Sequence, residues 1–244
     1  MSEISTSRTE SPSLRLVWRD YLQFVRWPSL PLHRTGFSSD AFQATAALFL
    51  LDVAAMAILA CVALLIVSLG GEMPRHALDG IKLSAPLILM IVVVGPVVEE
   101  AVFRGWLTGT PRSLSLYGTF IIVAAAVMLT GSLDRTSAVT LFIALIVGIA
   151  GSLQWLSNDV PVRRYSRAFP WLFWVSSLAF ALVHLTNLTI GHNRFAVLWV
   201  APQLISGTIF GYARVRLGMW SNVVLHMAHN AVMILVAISL GMGR

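Results

Sequence analysis

Charge is scarce in this chain. Only 11% of its 244 residues are Asp, Glu, Lys or Arg, against about 25% in soluble domains. Hydrophobic residues make up 57%, and mean hydropathy is +0.79. This balance excludes a soluble globular fold, and it excludes disorder, which needs the opposite composition. Cysteine is almost absent. Cys61 stands alone inside an apolar run, so no internal disulfide and no cysteine-based zinc site can form. There is no HExxH, which removes soluble zincin geometry. No serine sits in GxSxG and no histidine lies near Cys61 in sequence, so serine and cysteine hydrolases have little support. The start lacks the apolar core of a secretory signal. Position 2 is not Gly, and the terminus Gly241-Met242-Gly243-Arg244 is no prenylation box.

What is present is a series of apolar runs long enough to cross a bilayer. Seven lie near 42–69, 83–107, 115–132, 137–156, 170–190, 195–212 and 219–241. The third and sixth are short for a span of about 20 residues. The pattern predicts an all-α polytopic transmembrane bundle. The net charge of +6 belongs to topology signalling rather than to nucleic-acid binding, because the basic residues fall between the runs. With the N-terminus cytoplasmic, twelve of them lie inside: Arg8, Arg15, Arg19, Arg26, Arg34, Arg104, Arg112, Arg163, Arg164, Arg167, Arg214 and Arg216. Five lie outside: Arg75, Lys82, Arg135, Arg194 and Arg244. The bias predicts seven spans, N-in and C-out, in the plasma (inner) membrane if the source is bacterial. Residues 1–40 read as a cytoplasmic segment, in which arginines and aromatics around Leu14–Trp27 suit either an interfacial helix or a partly ordered tail. Residues 41–82 read as a first span with its outer loop, and 83–241 as the functional core.

Ionisable residues inside spans cost at least ~2.5 kcal/mol each at a bilayer centre and are functional candidates by default. They are Asp52, Glu99, Glu100, Arg104, His184, His226 and His229, joined by Asn187 and Asn230. Glu100 and Arg104 are four apart, on one helix face and in the favourable order. Arg104 is therefore expected to neutralise Glu100, and Glu99, turned about 100° away, to stay free for chemistry. His184 is placed mid-span, where a lone histidine is as often a packing residue. His226 and Asn230 share a face, with His229 between as an accessory or packing group. Asp52 is read as an interhelical hydrogen-bond partner ahead of a proton relay. A carboxylate beside an imidazole takes a proton from water, and a second imidazole with an amide supports an oxyanion. Glu99, His184 and His226 would equally hold zinc. Both lead to amide or ester hydrolysis. A small transporter is the competing class, and no repeat of one half in the other supports it.

Three motifs carry a resemblance. Glu99–Gly105 (EEAVFRG) resembles the EExxxR motif of the CPBP family of intramembrane proteases. That family includes the type II CAAX prenyl endopeptidases, bacteriocin-processing and immunity proteins, and lysostaphin resistance protein A-like proteins. Phe180–His184 (FALVH) resembles its FxxxH motif, and His226–Asn230 (HMAHN) its HxxxN motif. The resemblance covers roughly residues 83–241. It implies a helical core around a conical cavity open to the cytosol. Glu99 and His184 would activate water, and His226 and Asn230 would support the oxyanion. Glu100, Arg104 and Phe180 would shape the site. The implied substrate is a membrane protein or a lipidated, CAAX-type peptide met in the lipid bilayer. The mechanism preferred on the residues needs no cofactor, with Zn²⁺ the alternative. A non-catalytic scaffold or immunity protein of the same fold has no need of these buried polar groups.

Overall fold

A computed structural model describes residues 13–31, 35–77, 80–130, 134–157, 160–189 and 199–241. The first twelve residues, Arg34, Arg194 and Arg244 lie outside them, as do positions 131–132 of the third run, 190 of the fifth and 195–198 of the sixth. The described chain is helical, apart from one two-residue strand pairing. Its helices are α1 (Leu14–Arg26), α2 (Ser39–Ser68), α3 (Ala85–Leu89), α4 (Gly95–Arg104), α5 (Pro111–Thr130), α6 (Arg135–Trp155), α7 (Arg163–Val183), α8 (Ala201–Arg216) and α9 (Met219–Ser239). Among the described residues six stretches are long and apolar enough to cross a membrane: Ser39–Ser68, Ala85–Arg104, Pro111–Met128, Thr136–Trp155, Arg163–Asn187 and Met219–Ser239. The sixth apolar run supplies α8. Its 16 residues reach about 24 Å, less than a full span, and it is buried continuously from Ser206 to Val215.

α8 forms the centre, packed against α7, α9, α2 and α1. Small residues let α7 approach. A Cβ on Gly207 would stand 3.0 Å from the Phe180 ring, and one on Gly211 would stand 2.8 Å from Phe173. This small-xxx-small face replaces the hydrophobic driving force that lipid cannot supply. The corner into α9 turns at Gly218, whose φ of 118° suits a residue without Cβ.

α2 is apolar all round. Its buried stripe of Ala41, Ala44, Thr45, Leu48, Asp52 and Met56 follows the helical period and faces α8 and α9. α1 is amphipathic and docks on the bundle through Val17, Tyr21 and Phe24. Trp18 Nε1 donates to the Ala47 carbonyl at 2.7 Å. Tyr21 Oη and Thr208 Oγ1 share a hydrogen bond of 2.7 Å, and burial pushes the Tyr21 phenol above its ordinary pKa. The Leu14–Trp27 segment is thus an ordered helix seated on α2 and α8.

The two ends of the bundle differ. At one end, strand β1 (Arg75–His76) pairs antiparallel with β2 (Leu188–Thr189), tying the exit of α2 to the exit of α7. At the other, Val162 N–H donates to Gly109 O at 2.9 Å, Arg112 N–H to Ser157 O at 3.1 Å and Thr35 N–H to Arg216 O at 3.1 Å. That second end gathers Arg104, Arg112, Arg163, Arg164, Arg167, Arg214 and Arg216, against Arg75 and Arg135 at the first. Arg214 Nε there caps the Arg104 carbonyl at 3.0 Å.

Candidate active site

The stretch Ala85–Arg104 is broken on purpose of sequence. Pro96 has no N–H, so it cannot continue the helical ladder. Met90–Val94 widens into a π-turn in which Gly95 N–H reaches Met90 O, and π-turns of this kind recur at functional sites. Asn230 Nδ2, from α9, donates to the carbonyl of Ile91 at 2.8 Å. The amide therefore supplies the donor that Pro96 lacks and anchors α9 to the break.

One turn later, Glu99 and Glu100 diverge. Glu100 is fully buried. Its Oε1 accepts from Arg104 Nη1 at 2.7 Å and from His226 Nδ1 at 2.8 Å, and its Oε2 accepts from Asn222 Nδ2 at 2.5 Å. Both oxygens of this carboxylate are hydrogen-bonded within the protein. Arg104, also fully buried, lies 3.8 Å from the Phe180 ring centroid, a desolvated cation–π contact. It also reaches Gly207 O at 3.4 Å. Glu99 is one-third exposed, and its Oε2 makes no hydrogen bond within the protein. That oxygen faces His184 Nε2 at 3.9 Å and His226 Nε2 at 3.8 Å.

His184 sits at the end of α7, not in mid-span. Its Nδ1 donates to the Phe180 carbonyl at 2.7 Å, while its backbone N–H turns to Ala181 and Leu182. The side chain takes the carbonyl the ladder would have used, and a 3₁₀ turn (His184–Asn187) follows. Both imidazoles thus spend Nδ1–H on a fixed acceptor and turn Nε2 toward Glu99. Phe180 packs against both, with centroids 4.7 Å from His184 and 5.7 Å from His226.

These groups close one end of a cavity of about 550 Å³. From Glu99 and His226 it runs along α9 through Asn230, Met233 and Ala237, and past Gln203, toward Ala77, Leu83 and Asn187. That is the end of the bundle opposite the arginines. Glu99, His184, His226, Asn230 and Phe180 all line the cavity; Glu100 and Arg104 lie behind it. Two residues escaped the sequence reading. Asn222 is four before His226, so the spacing that picked out Asn230 pointed to it as well. Ser206 carries no sequence signal. Asp52 and His229, separate candidates along the sequence, meet at 2.6 Å.

The zinc alternative has a chemically suitable donor set. Turning Nδ1–H to a carbonyl or carboxylate is what zinc-bound imidazoles do. Ligands at about 2.0–2.2 Å in a tetrahedron stand closer together than the 3.8 and 3.9 Å found here. Among the described residues no three such side chains already form a metal-holding group.

A polytopic helical bundle whose buried ionisable groups gather at one internal cavity has the architecture of a membrane-embedded enzyme. The family model for the type II CAAX prenyl endopeptidase Rce1-like proteins matches residues 81–232, more than half of the chain, and the chain belongs to that family. It is an integral membrane protease by this membership. No curated protein and no solved structure gives a significant match.

Proposed function

We propose that this protein hydrolyses a peptide bond of a membrane-associated protein or lipidated peptide, CAAX-type termini included, with Glu99 as the base. The observation that carries the reading is the unbonded Glu99 Oε2 facing two Nε2 atoms. A water held there gives a proton to Glu99 as its oxygen attacks the carbonyl carbon. His184 Nε2 accepts the water's other hydrogen bond and aligns it. His226, in its protonated form, and the second N–H of Asn230 donate to the developing oxyanion. Charge supports this assignment: Glu99, Glu100, Arg104 and protonated His226 sum to zero, which a low-dielectric site favours. The apolar lining, with Ile81, Leu83, Met90, Ile91, Met233 and Ile234, suits a lipid chain or an apolar peptide.

The zinc reading is favoured by the committed Nδ1 atoms. Glu99, His184 and His226 would hold the ion, which would supply a water acidified by the metal. Purified protein and a farnesylated peptide ending Cys-Val-Ile-Met decide between them. The metal-free reading expects cleavage after exhaustive chelation, and far less than one zinc per chain. Zinc near one per chain, lost and regained together with activity, overturns it and leaves the protease reading standing.

We also infer that the N-terminus and the arginine-bearing end face the cytoplasm. The cavity then runs toward the opposite face. The motif resemblance implies a cavity open to the cytosol, and the lining that reaches Ala77, Leu83 and Asn187 runs against it in this orientation. The bias rests on twelve residues against five, so an approach from the far side or from within the bilayer is preferred. A cysteine placed at Leu83 in a Cys61→Ser background is expected to react with a membrane-impermeant thiol reagent added outside intact cells. Reaction only after the cells are opened reverses the orientation.

A further inference from the structure

Asp52 and His229 form a second carboxylate–imidazole pair in the same cavity, and the mechanism above uses neither. Asp52 comes from α2 and lies outside the residues matched by the family. It is fully buried. Its Oδ1 accepts from Ser206 Oγ at 2.6 Å, and its Oδ2 lies 2.6 Å from His229 Nδ1. Among the described residues His229 is its ion-pair partner, and no Lys or Arg competes. A carboxylate is an acceptor, so Nδ1–H points at Asp52 and the ring's Nε2 is left for the cavity, which His229 lines. Phe210 fixes the placement. Its ring stacks on His226 at 4.7 Å and meets His229 edge-on at 5.8 Å.

His226 and His229 are therefore built alike, three residues apart on α9, each with Nδ1 on a buried carboxylate. Glu100 is already neutralised by Arg104. Asp52 has only a hydroxyl besides the imidazole, so its charge is balanced when His229 is protonated. Peptide hydrolysis needs such a group. An amide nitrogen does not leave as an anion; it must gain a proton as the C–N bond breaks.

We propose that His229, held by Asp52, is the general acid that protonates the leaving nitrogen. This rests on the protease reading. The water oxygen forms the new C–O bond, and one water proton passes to Glu99. As the tetrahedral intermediate collapses, the C–N electron pair stays on nitrogen, which takes the proton from His229 Nε2. Glu99 then returns its proton to His229 through water, and the products are a carboxylic acid and an amine. His229 is catalytic in this scheme; Asp52 is a positioning residue.

The test compares two farnesylated Cys-Val-Ile-Met peptides, one with the amide and one with an ester at the bond after cysteine. An alkoxide leaves more readily than an amide anion, so it depends less on the acid. His229→Gln is expected to lower amide cleavage by about 10²–10⁴-fold, and the amide-to-ester rate ratio by at least about 10². Asp52→Asn is expected to move the ratio the same way, because it disturbs the tautomer. Equal losses on both substrates overturn the proposal and leave Glu99 as the sole proton carrier. A wild-type enzyme that cleaves neither peptide fails the protease reading, and the proposal with it. Histidine ¹⁵N NMR in detergent tests the positioning half without turnover. His229 Nδ1 is expected to carry its proton in the wild type and to change in Asp52→Asn; an unprotonated Nδ1 in the wild type overturns it.

Discussion

His226 Nδ1 lies 2.8 Å from Glu100 Oε1, so the histidine of the third motif is oriented by the acid of the first. Neighbouring carboxylates at 99 and 100 consequently have opposite roles. Glu100 is held by Arg104, Asn222 and His226, and Glu99 Oε2 is left without a protein hydrogen bond.

That division predicts different outcomes for two identical substitutions. Glu100→Gln leaves Arg104 as an uncompensated buried charge, which costs about 3–5 kcal/mol, and it frees His226 to turn. Glu99→Gln removes the base and only the longer 3.8 and 3.9 Å approaches to the two histidines, with no hydrogen bond on Oε2 to lose. Thermal unfolding in detergent is expected to show a large loss for Glu100→Gln and little for Glu99→Gln, with activity lost in both. The reverse order of stabilities would exchange the two roles.

In the proposed mechanism Asn230 has two duties: one N–H holds the Ile91 carbonyl and the other serves the oxyanion. Asn230→Ala is expected to slow cleavage by about 10²–10³, the usual cost of one oxyanion donor. It also leaves the Ile91 carbonyl unpaired, at about 1–3 kcal/mol. A variant that loses stability at full activity would confine Asn230 to its anchoring duty. Rate and melting temperature measured on one preparation separate these effects.

Gly207→Ala is expected to cost about 1–3 kcal/mol through overpacking. The added methyl stands 3.0 Å from Phe180 Cδ1 and 3.2 Å from Arg104 Nη2, and both side chains are buried. Because Phe180 touches both site histidines, cleavage should fall along with stability. An unchanged melting temperature would show that α7 and α8 are less closely packed than this.

Orientation is checked by reporters fused along the chain. A fusion after Leu240 is expected to be silent for a reporter active only in the cytoplasm, and one in the 157–162 link is expected to be active. An active reporter after Leu240 would remove the C-out arrangement, which needs the short α8 to cross along with the six longer stretches.

The amino-acid sequence determined what depends on composition and on spacing along one helix. Low charge and repeated apolar runs dictated a membrane bundle, because a bilayer admits only segments that satisfy their own backbone. The i, i+4 rule put Glu100 on Arg104 and His226 beside Asn230, and it left Glu99 free, since a helix fixes those directions without help from its neighbours. Contacts between distant helices were decided by the tertiary structure. Glu100 with Asn222 and His226, Asp52 with Ser206 and His229, and Asn230 with the Ile91 carbonyl join residues more than a hundred positions apart. The place of His184 was settled in the same way. An apolar stretch predicts that a helix continues, yet here an imidazole takes the Phe180 carbonyl and the helix tightens at its end. Periodicity says which way a side chain points, but packing against α8 determines what it meets.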